Sequence, residues 1–85
     1  MVDRVTVTIR VEQLGLKTDM ELPCRIPLSQ LNPSLLEALN RYTDGRMSRW
    51  KGLRLLSGGR ALHENGTLAD FDVWDGAYVD VVSEG

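Results

Sequence analysis

The stretch that decides the fold is residues 52–82, GLRLLSGGRALHENGTLADFDVWDGAYVDVV. Aliphatic and polar residues alternate over 53–56 and again over 78–82, which is the period of a half-buried strand. Between these two predicted strands the chain is rich in small and turn-forming residues. The residues expected to point into the core are Leu53, Leu55, Leu62, Leu68, Phe71, Val73, Val79 and Val81.

Turn signals divide the rest of this stretch. Gly58-Gly59 predicts a hairpin turn into a short strand over 60–62, and Asn65-Gly66 predicts a tight turn with positive φ. Thr67 and Asp70 have the spacing of a capping box, which indicates a short helical turn over 67–71. Asp75-Gly76 then predicts the turn into the last strand.

The preceding half of the chain predicts a hairpin and one helix. Residues 4–11 alternate strictly, a second alternating run covers 17–22, and a short Gly-containing loop joins them. A helix is predicted over 29–42, with Ser29 as a plausible N-cap or with Pro33 as the first helical residue of a later start. If the helix begins near Ser29, Pro33 should disturb its first full turn. The apolar stripe of this helix is expected to be Leu28, Leu31, Leu35 and Leu39.

The order hairpin, helix, hairpin, short helix, strand predicts the α+β class. One long helix has to cover one side of a mixed sheet of four or five strands, with the first and last strands parallel at its centre. This arrangement is a β-grasp. A chain of 85 residues supports one small core, so residues 1–85 are expected to form a single domain.

Composition excludes several classes of protein. A hydrophobic content of 42% is too high for a disordered chain, and no apolar run approaches the roughly 20 residues of a membrane helix. There is no signal-peptide pattern, so we expect a cytoplasmic protein. Cys24 is the single cysteine and His63 the single histidine, so the sequence suggests no catalytic set, no metal site and no cofactor. We expect Cys24 to be a small buried hydrophobe and His63 to be a solvated turn residue.

Several segments resemble the ubiquitin superfamily, and within it the bacterial YukD/EsaB family. The run Thr67–Val73, TLADFDV, resembles the corresponding part of ubiquitin, and residues 19–28, DMELPCRIPL, resemble the second strand and helix entry of the YukD/EsaB family. The resemblance implies a non-enzymatic accessory protein of type VII (WXG100) secretion, with a protein partner in the cytoplasmic parts of the secretion membrane complex. It also implies docking through the open face of the sheet.

Alternation places a candidate partner-binding patch on that face. Arg54 and Asp80 are expected to form a cross-strand ion pair there, beside two exposed aliphatic residues. Residues from the first hairpin loop could extend the patch, and a tryptophan in the basic loop could add a partner contact. The candidate partner-binding residues are Arg54, Leu56, Asp80, Val82, Leu14, Leu16 and Trp50.

Three alternatives stay open from the residues alone. A modifier or sulfur carrier activated at its C-terminus is disfavoured, because only residues 83–85, SEG, follow the last strand, so no covalent conjugation is expected. A single-strand nucleic-acid binder would use Trp50 among Arg46, Arg49 and Lys51, but the net charge of −2 argues against it. A homodimer through an unprotected edge strand is possible.

Overall fold

A computed structural model describes residues 3–84 as a five-stranded mixed sheet covered on one side by one helix. Two 3₁₀ turns, Glu12–Leu14 and Ala69–Phe71, interrupt the connections. The elements are β1 (Arg4–Val11), β2 (Leu16–Pro23), α1 (Leu28–Tyr42), β3 (Leu53–Ser57), β4 (Arg60–Ala61) and β5 (Tyr78–Ser83).

The strand order is β2-β1-β5-β3-β4. β1 and β5 are parallel and neighbours, with Ile9 opposite Val79, while all other strand pairs are antiparallel. The parallel pair at the centre is possible because α1 and the second hairpin supply the crossover. The predicted β-grasp is confirmed.

The core lies between α1 and one face of the sheet. Every second residue of β1, β3 and β5 points into it, as the alternation predicted, and the leucine stripe of α1 closes it from the other side. Each large aliphatic side chain buried in this way contributes roughly 1.5–3 kcal/mol. The most completely buried side chains include Ile9, Leu28, Leu35, Leu39, Leu55, Leu68 and Val79.

The start of α1 differs from the prediction. The helix begins at Leu28 after Pro27, and Ser29 is not its N-cap. Instead the Leu28 N–H donates to the Gly66 carbonyl (2.9 Å) and the Ser29 N–H donates to the Glu64 carbonyl (3.0 Å). Carbonyl groups of a distant turn thus satisfy N–H groups that a helix leaves free at its start. Local sequence cannot show this, because the acceptors lie more than one element away.

Pro33 lies inside α1, which continues through it without a break. A proline at this position removes one helical hydrogen bond. The helix therefore continues past Pro33 because it packs against the sheet, and not because the local sequence favours a helix there. The preceding Asn32 is buried, and its Oδ1 atom has no hydrogen-bond partner within residues 3–84. It lies where two shallow grooves of about 270 and 300 Å³ meet, and Leu53 also lines both.

The turn before the second 3₁₀ helix is also built differently from the prediction. Neither Asn65 nor Gly66 has positive φ. Gly66 is required for space, because a Cβ atom there would lie 2.7 and 2.9 Å from two ring atoms of Phe71. The predicted capping box is present: the Thr67 N–H donates to Asp70 Oδ2 (3.0 Å), and the Asp70 N–H donates to Thr67 Oγ1 (3.1 Å).

The segment between α1 and β3 contributes to the core, which the sequence did not reveal. Met47 is buried, and its N–H donates to Asn40 Oδ1 at 2.9 Å. Thr43 is buried as well, with its hydroxyl donating to the Leu39 carbonyl at 2.9 Å. The segment after the helix, which was predicted to be a basic loop, therefore packs over one end of the core.

Candidate interaction face

Within residues 3–84 one face of the sheet has no helix over it, and four of the predicted residues meet there. In the β3–β5 pair Arg54 is opposite Val82 and Leu56 is opposite Asp80. Directly opposed residues share a face, and the buried Leu55 between the two β3 residues points the other way. The expected grouping of Arg54, Leu56, Asp80 and Val82 on the open face is confirmed.

The predicted ion pair between Arg54 and Asp80 is wrong. Arg54 Nη2 lies 3.2 Å from Glu84 Oε2. Asp80 instead accepts two hydrogen bonds from Arg10, from Nε at 2.8 Å and from Nη2 at 3.2 Å. The reason is the register, which sets Asp80 beside Arg10 of the parallel β1 and Arg54 opposite Val82. Both pairs are half-exposed, so each contributes at most about 1 kcal/mol.

Arg10, Lys17 and Tyr78 extend this face, and the sequence reasoning did not include them in it. Tyr78 is 45% exposed. The Arg10 guanidinium carbon lies 4.6 Å from the centroid of the Tyr78 ring, and Lys17 Nζ lies 5.3 Å from it. The alternation along β1 and β5 places Arg10 and Tyr78 on the exposed side of their strands. What it could not supply was the parallel register, which brings β1 next to β5 at Thr8 and Tyr78.

The apolar centre of this face is small. Leu56 and Val82 are both half-buried and are diagonal neighbours across the β3–β5 pair, a distance that side chains can span. The exposed Ala61 lies opposite Leu56 on β4. We refer to Arg10, Arg54, Leu56, Tyr78, Asp80 and Val82 together as the open-face patch.

Leu14 and Leu16 do not join the patch. Leu16 is opposite Val11 of β1, so both side chains lie on the helix-facing side of the sheet. Leu14 is half-buried and, like Leu16, packs against the core. The prediction that they extend the patch is wrong, because both side chains pack against the core.

Trp50 packs against the core and is half-buried. The backbone N–H of Trp50 donates to the Met47 carbonyl at 3.0 Å, so this residue belongs to the packed segment after α1. Its basic neighbours Arg49 and Lys51 are exposed. A ring held against the core offers little free surface for stacking on bases, so the structure does not favour the nucleic-acid alternative.

The remaining chemically capable residues are dispersed. Cys24 is fully buried, while His63 is exposed and lies 6.4 Å, centroid to centroid, from the Phe71 ring. Gly58 and Gly59 both have positive φ, as a tight hairpin turn requires. Among residues 3–84 no group of three or more His, Cys, Asp or Glu side chains could hold a metal ion. No helix in the same part of the chain is long and apolar enough to cross a membrane.

Solved structures with the same fold include several ubiquitin-like domains. The ubiquitin-like domain of the Mycobacterium tuberculosis type VII secretion system protein ECCD1 superposes with a TM-score of 0.78, at 21% identity over 96% of this chain and 100% of that one. A chain of the MycP5-free ESX-5 inner membrane complex gives 0.77 at 19% identity, over 99% of this chain and 22% of that one. The N-terminal ubiquitin-like domain in the 4931431F19Rik protein gives 0.68 at 18% identity, over 100% and 79%.

A search of curated proteins finds no match. The family model described as "WXG100 protein secretion system (Wss), protein YukD" matches residues 4–79, which include β1 to β4, α1 and the first two residues of β5. The structural neighbours show the ubiquitin-like fold, and the family match covers most of the sequence. The chain therefore belongs to the YukD family of WXG100 secretion-system proteins.

Proposed function

We propose that this chain is a non-catalytic, ubiquitin-like interaction module that works in the cytoplasm as an accessory component of a type VII secretion system. Membership of the YukD family supports the link to secretion. The observation that carries the mode of action is the open-face patch, in which Leu56 and Val82 are diagonal neighbours on a sheet face that no helix of residues 3–84 covers.

The charged side chains of the patch are already paired, so its apolar and aromatic members are the ones that a partner can use. Arg10 binds Asp80, and Arg54 binds Glu84. A docking partner does not need to neutralise these groups, and it can bury Leu56, Val82 and the Tyr78 ring. Tyrosine and arginine are also among the residue types that carry most binding energy in protein interfaces.

The partner we propose is a protein subunit of the secretion machinery at the inner face of the membrane. A chain of an ESX-5 inner membrane complex contains a segment with the same fold, which supports a place for this fold beside membrane-complex subunits. In that arrangement the module would be held at the membrane through its partner, with the open-face patch turned toward that partner.

Site-specific photo-crosslinking in native cells tests this proposal. A photoreactive amino acid is placed at position 56 or 82, and at Glu37 as the control, an exposed residue of α1 on the other side of the sheet. We expect crosslinks to a secretion-complex subunit from positions 56 and 82 and none from position 37. Crosslinks to housekeeping proteins only, or equal yields at all three positions, would contradict the proposal.

A functional assay accompanies the crosslinking. Leu56→Glu and Val82→Glu place charges in the apolar centre of the patch, while Glu37→Gln changes an exposed helix residue. We expect the two patch variants to reduce release of WXG100 substrates into the medium and Glu37→Gln to leave it unchanged. Circular dichroism and thermal unfolding of the purified variants control for folding. Normal secretion by folded patch variants would remove the patch from the mechanism.

A further inference from the structure

One end of the molecule carries cations that the fold does not pair. Residues 41–51, RYTDGRMSRWK, contain four basic side chains and one acid, although the net charge of the chain is −2. Arg41 Nη1 lies 3.9 Å from Glu37 Oε1, and none of the other three cations forms an ion pair within residues 3–84. The four exposed basic residues are Arg41, Arg46, Arg49 and Lys51.

Hydrogen bonds hold these cations at the end of the molecule where α1 stops. Successive hydrogen-bonded turns make residues 43–50 compact. Met47 is buried, so the segment is fixed to the core while its basic neighbours face solvent. Arg46 Nη2 donates to the Leu14 carbonyl at 3.5 Å, which attaches the segment to the connection between β1 and β2.

The main acidic stretch lies at the other end of α1. Residues 64–75 contain four exposed acids and no lysine or arginine. The Glu64 carbonyl accepts the Ser29 N–H at 3.0 Å, so this stretch packs at the start of the helix. α1 has 15 residues, so its two ends are about 20 Å apart. This separation exceeds the Debye length of about 8 Å at physiological ionic strength, so these acids do not offset the cations.

Nearby acids do not neutralise the cations either. Asp44 is the one acid within the segment. Glu84 lies at the same end of the molecule, but it already binds Arg54 at 3.2 Å. Glu12, exposed on the β1–β2 connection, is offset by Lys17, which is exposed at the start of β2. The end of the molecule at which α1 stops is therefore positively charged.

The dipole of α1 accounts for one of the cations. A basic residue in the last turn of a helix is stabilised by the partial negative charge there, and Arg41 is that residue in α1. The effect fades beyond the last turn, so it gives no reason for the cations at positions 46, 49 and 51. Cations that neither an ion pair nor the helix dipole explains indicate a surface that attracts an anionic partner.

Two aromatic side chains lie among these cations. Tyr42 is 61% exposed, more than any other large hydrophobic side chain in residues 3–84. Trp50 is half-buried against the core. Tyrosine and tryptophan are enriched where proteins meet the membrane–water interface, because their rings are amphipathic. We refer to the exposed residues of this surface as the basic end: Arg41, Tyr42, Arg46, Arg49 and Lys51.

We propose that the basic end binds an anionic membrane surface and thereby orients the module on it. The choice of this partner rests on the proposed function, which holds the chain at the inner face of a membrane, where acidic lipid head groups create a negative surface potential. Cations spread over several turns suit a surface of laterally mobile charges, and the Tyr42 ring can enter the interface. Nucleic acid suits the basic end less well, because the Trp50 ring is held against the core.

The strands show which way the open-face patch would point. β3 begins and β5 ends at the basic end, because Leu53 is opposite Ser83 and Lys51 lies two residues before Leu53. With the basic end on the membrane, these strands rise from its surface and the open face of the sheet turns sideways, along the membrane. Lipid contact therefore leaves Leu56 and Val82 free for a neighbouring protein subunit.

Charge sets the expected strength of this contact. Each lysine or arginine near an anionic surface strengthens binding roughly fivefold, so four cations and one acid give roughly a hundredfold. The attraction falls as salt is added. A contact of this strength is weak alone, and it adds to the contact with a protein partner through effective concentration.

Co-sedimentation of the purified whole chain with vesicles tests the inference. The probe vesicles contain phosphatidylglycerol and phosphatidylcholine in equal parts, and the control vesicles contain phosphatidylcholine only. We expect the chain to bind the anionic vesicles about a hundredfold more tightly at physiological salt and to lose most of this difference in about 1 M salt. No secretion subunit is present, so the result is independent of crosslinking from positions 56 and 82, and failure of either experiment is distinguishable from failure of the other.

Two double variants locate the binding. Arg49→Gln/Lys51→Gln removes two charges from the basic end, and Arg4→Gln/Arg60→Gln removes two from exposed positions at the starts of β1 and β4. Both have the same net charge, so they differ only in where the charge is lost. We expect the first to weaken binding to anionic vesicles about 25-fold and the second less than about twofold. Thermal unfolding controls for the folding of both.

Tryptophan quenching reports the orientation. Trp50 lies beside the basic end, whereas Trp74 lies in the acidic stretch at the other end of α1. Trp74→Phe leaves Trp50 as the single fluorophore, and Trp50→Phe leaves Trp74. With a head-group spin label in the anionic vesicles, we expect stronger quenching of Trp50 than of Trp74.

Four results would overturn the inference. They are equal binding to the two kinds of vesicle, equal effects of the two double variants, and quenching of Trp74 that equals or exceeds that of Trp50. The fourth is tighter binding of a single-stranded oligonucleotide than of the anionic vesicles, which would assign the basic end to nucleic acid.

Discussion

Replacing Gly66 with alanine should destabilise the fold because of a single close approach. The added Cβ would lie 2.7 and 2.9 Å from ring atoms of Phe71, closer than carbon atoms can pack. Either the ring or the turn has to move, and overpacking of this kind costs about 1–3 kcal/mol. The same turn provides the carbonyl acceptors for the first N–H groups of α1, so its displacement also weakens the helix start. In a domain of this size the loss should lower Tm by about 4–8 °C per kcal/mol.

Urea denaturation measures the effect, and Gly52→Ala is the matched control. Gly52 also lacks positive φ, but its Cβ would find only ordinary contacts, at 3.9 and 4.0 Å to Glu84. Because alanine restricts the unfolded chain, Gly52→Ala should be neutral or stabilising by up to about 1 kcal/mol. In a double-mutant cycle, Phe71→Leu removes the obstructing ring atoms and should recover part of the Gly66→Ala loss. Equal stability of Gly66→Ala and Gly52→Ala, or no coupling to Phe71, would refute the reasoning.

Three further predictions concern polar groups. Asn32→Leu removes a buried acceptor that has no partner, so thermal unfolding should show unchanged or higher stability, by up to about 1–3 kcal/mol; a clear loss would mean that the amide is bonded through water. Asp75→Ala removes the carboxylate that accepts the Thr6 N–H at 2.8 Å, and it should speed exchange of that amide and cost about 1 kcal/mol, while Asp75→Asn should retain most of both. Arg10→Gln breaks a half-exposed ion pair, so urea denaturation should show a loss below about 1 kcal/mol that shrinks as salt is added.

The sequence predicted most of the fold because its signals are periodic and local. Alternation located β1, β3 and β5, and the leucine spacing located α1. The predictions that were wrong concern positions whose structure depends on a contact with residues far away in the sequence. The start of α1 is fixed by carbonyls of the turn at 64–66, and Gly66 is needed because of Phe71. The burial of Met47 was not predicted, because a single apolar residue in an irregular segment shows no periodicity.

The candidate site, too, was predicted only in part. Inward and outward assignment within one strand was sufficient to group Arg54, Leu56, Asp80 and Val82. It was not sufficient to pair them, because pairing depends on how strands are shifted against each other. No short turn joins a parallel pair such as β1 and β5, so no local signal in the sequence fixes the register of the pair. The contact between Arg10 and Asp80 could therefore not be predicted.

Binding at the open-face patch should respond little to salt, for a reason visible in its charges. On the open-face patch the guanidinium groups of Arg10 and Arg54 already bind carboxylates, so a partner that buries Leu56 and Val82 gains little from charge. Its affinity should change little with ionic strength. Titration of the partner at two salt concentrations tests this: an affinity that falls steeply as salt is added would show that the charged groups of the patch, and not Leu56 and Val82, carry the binding.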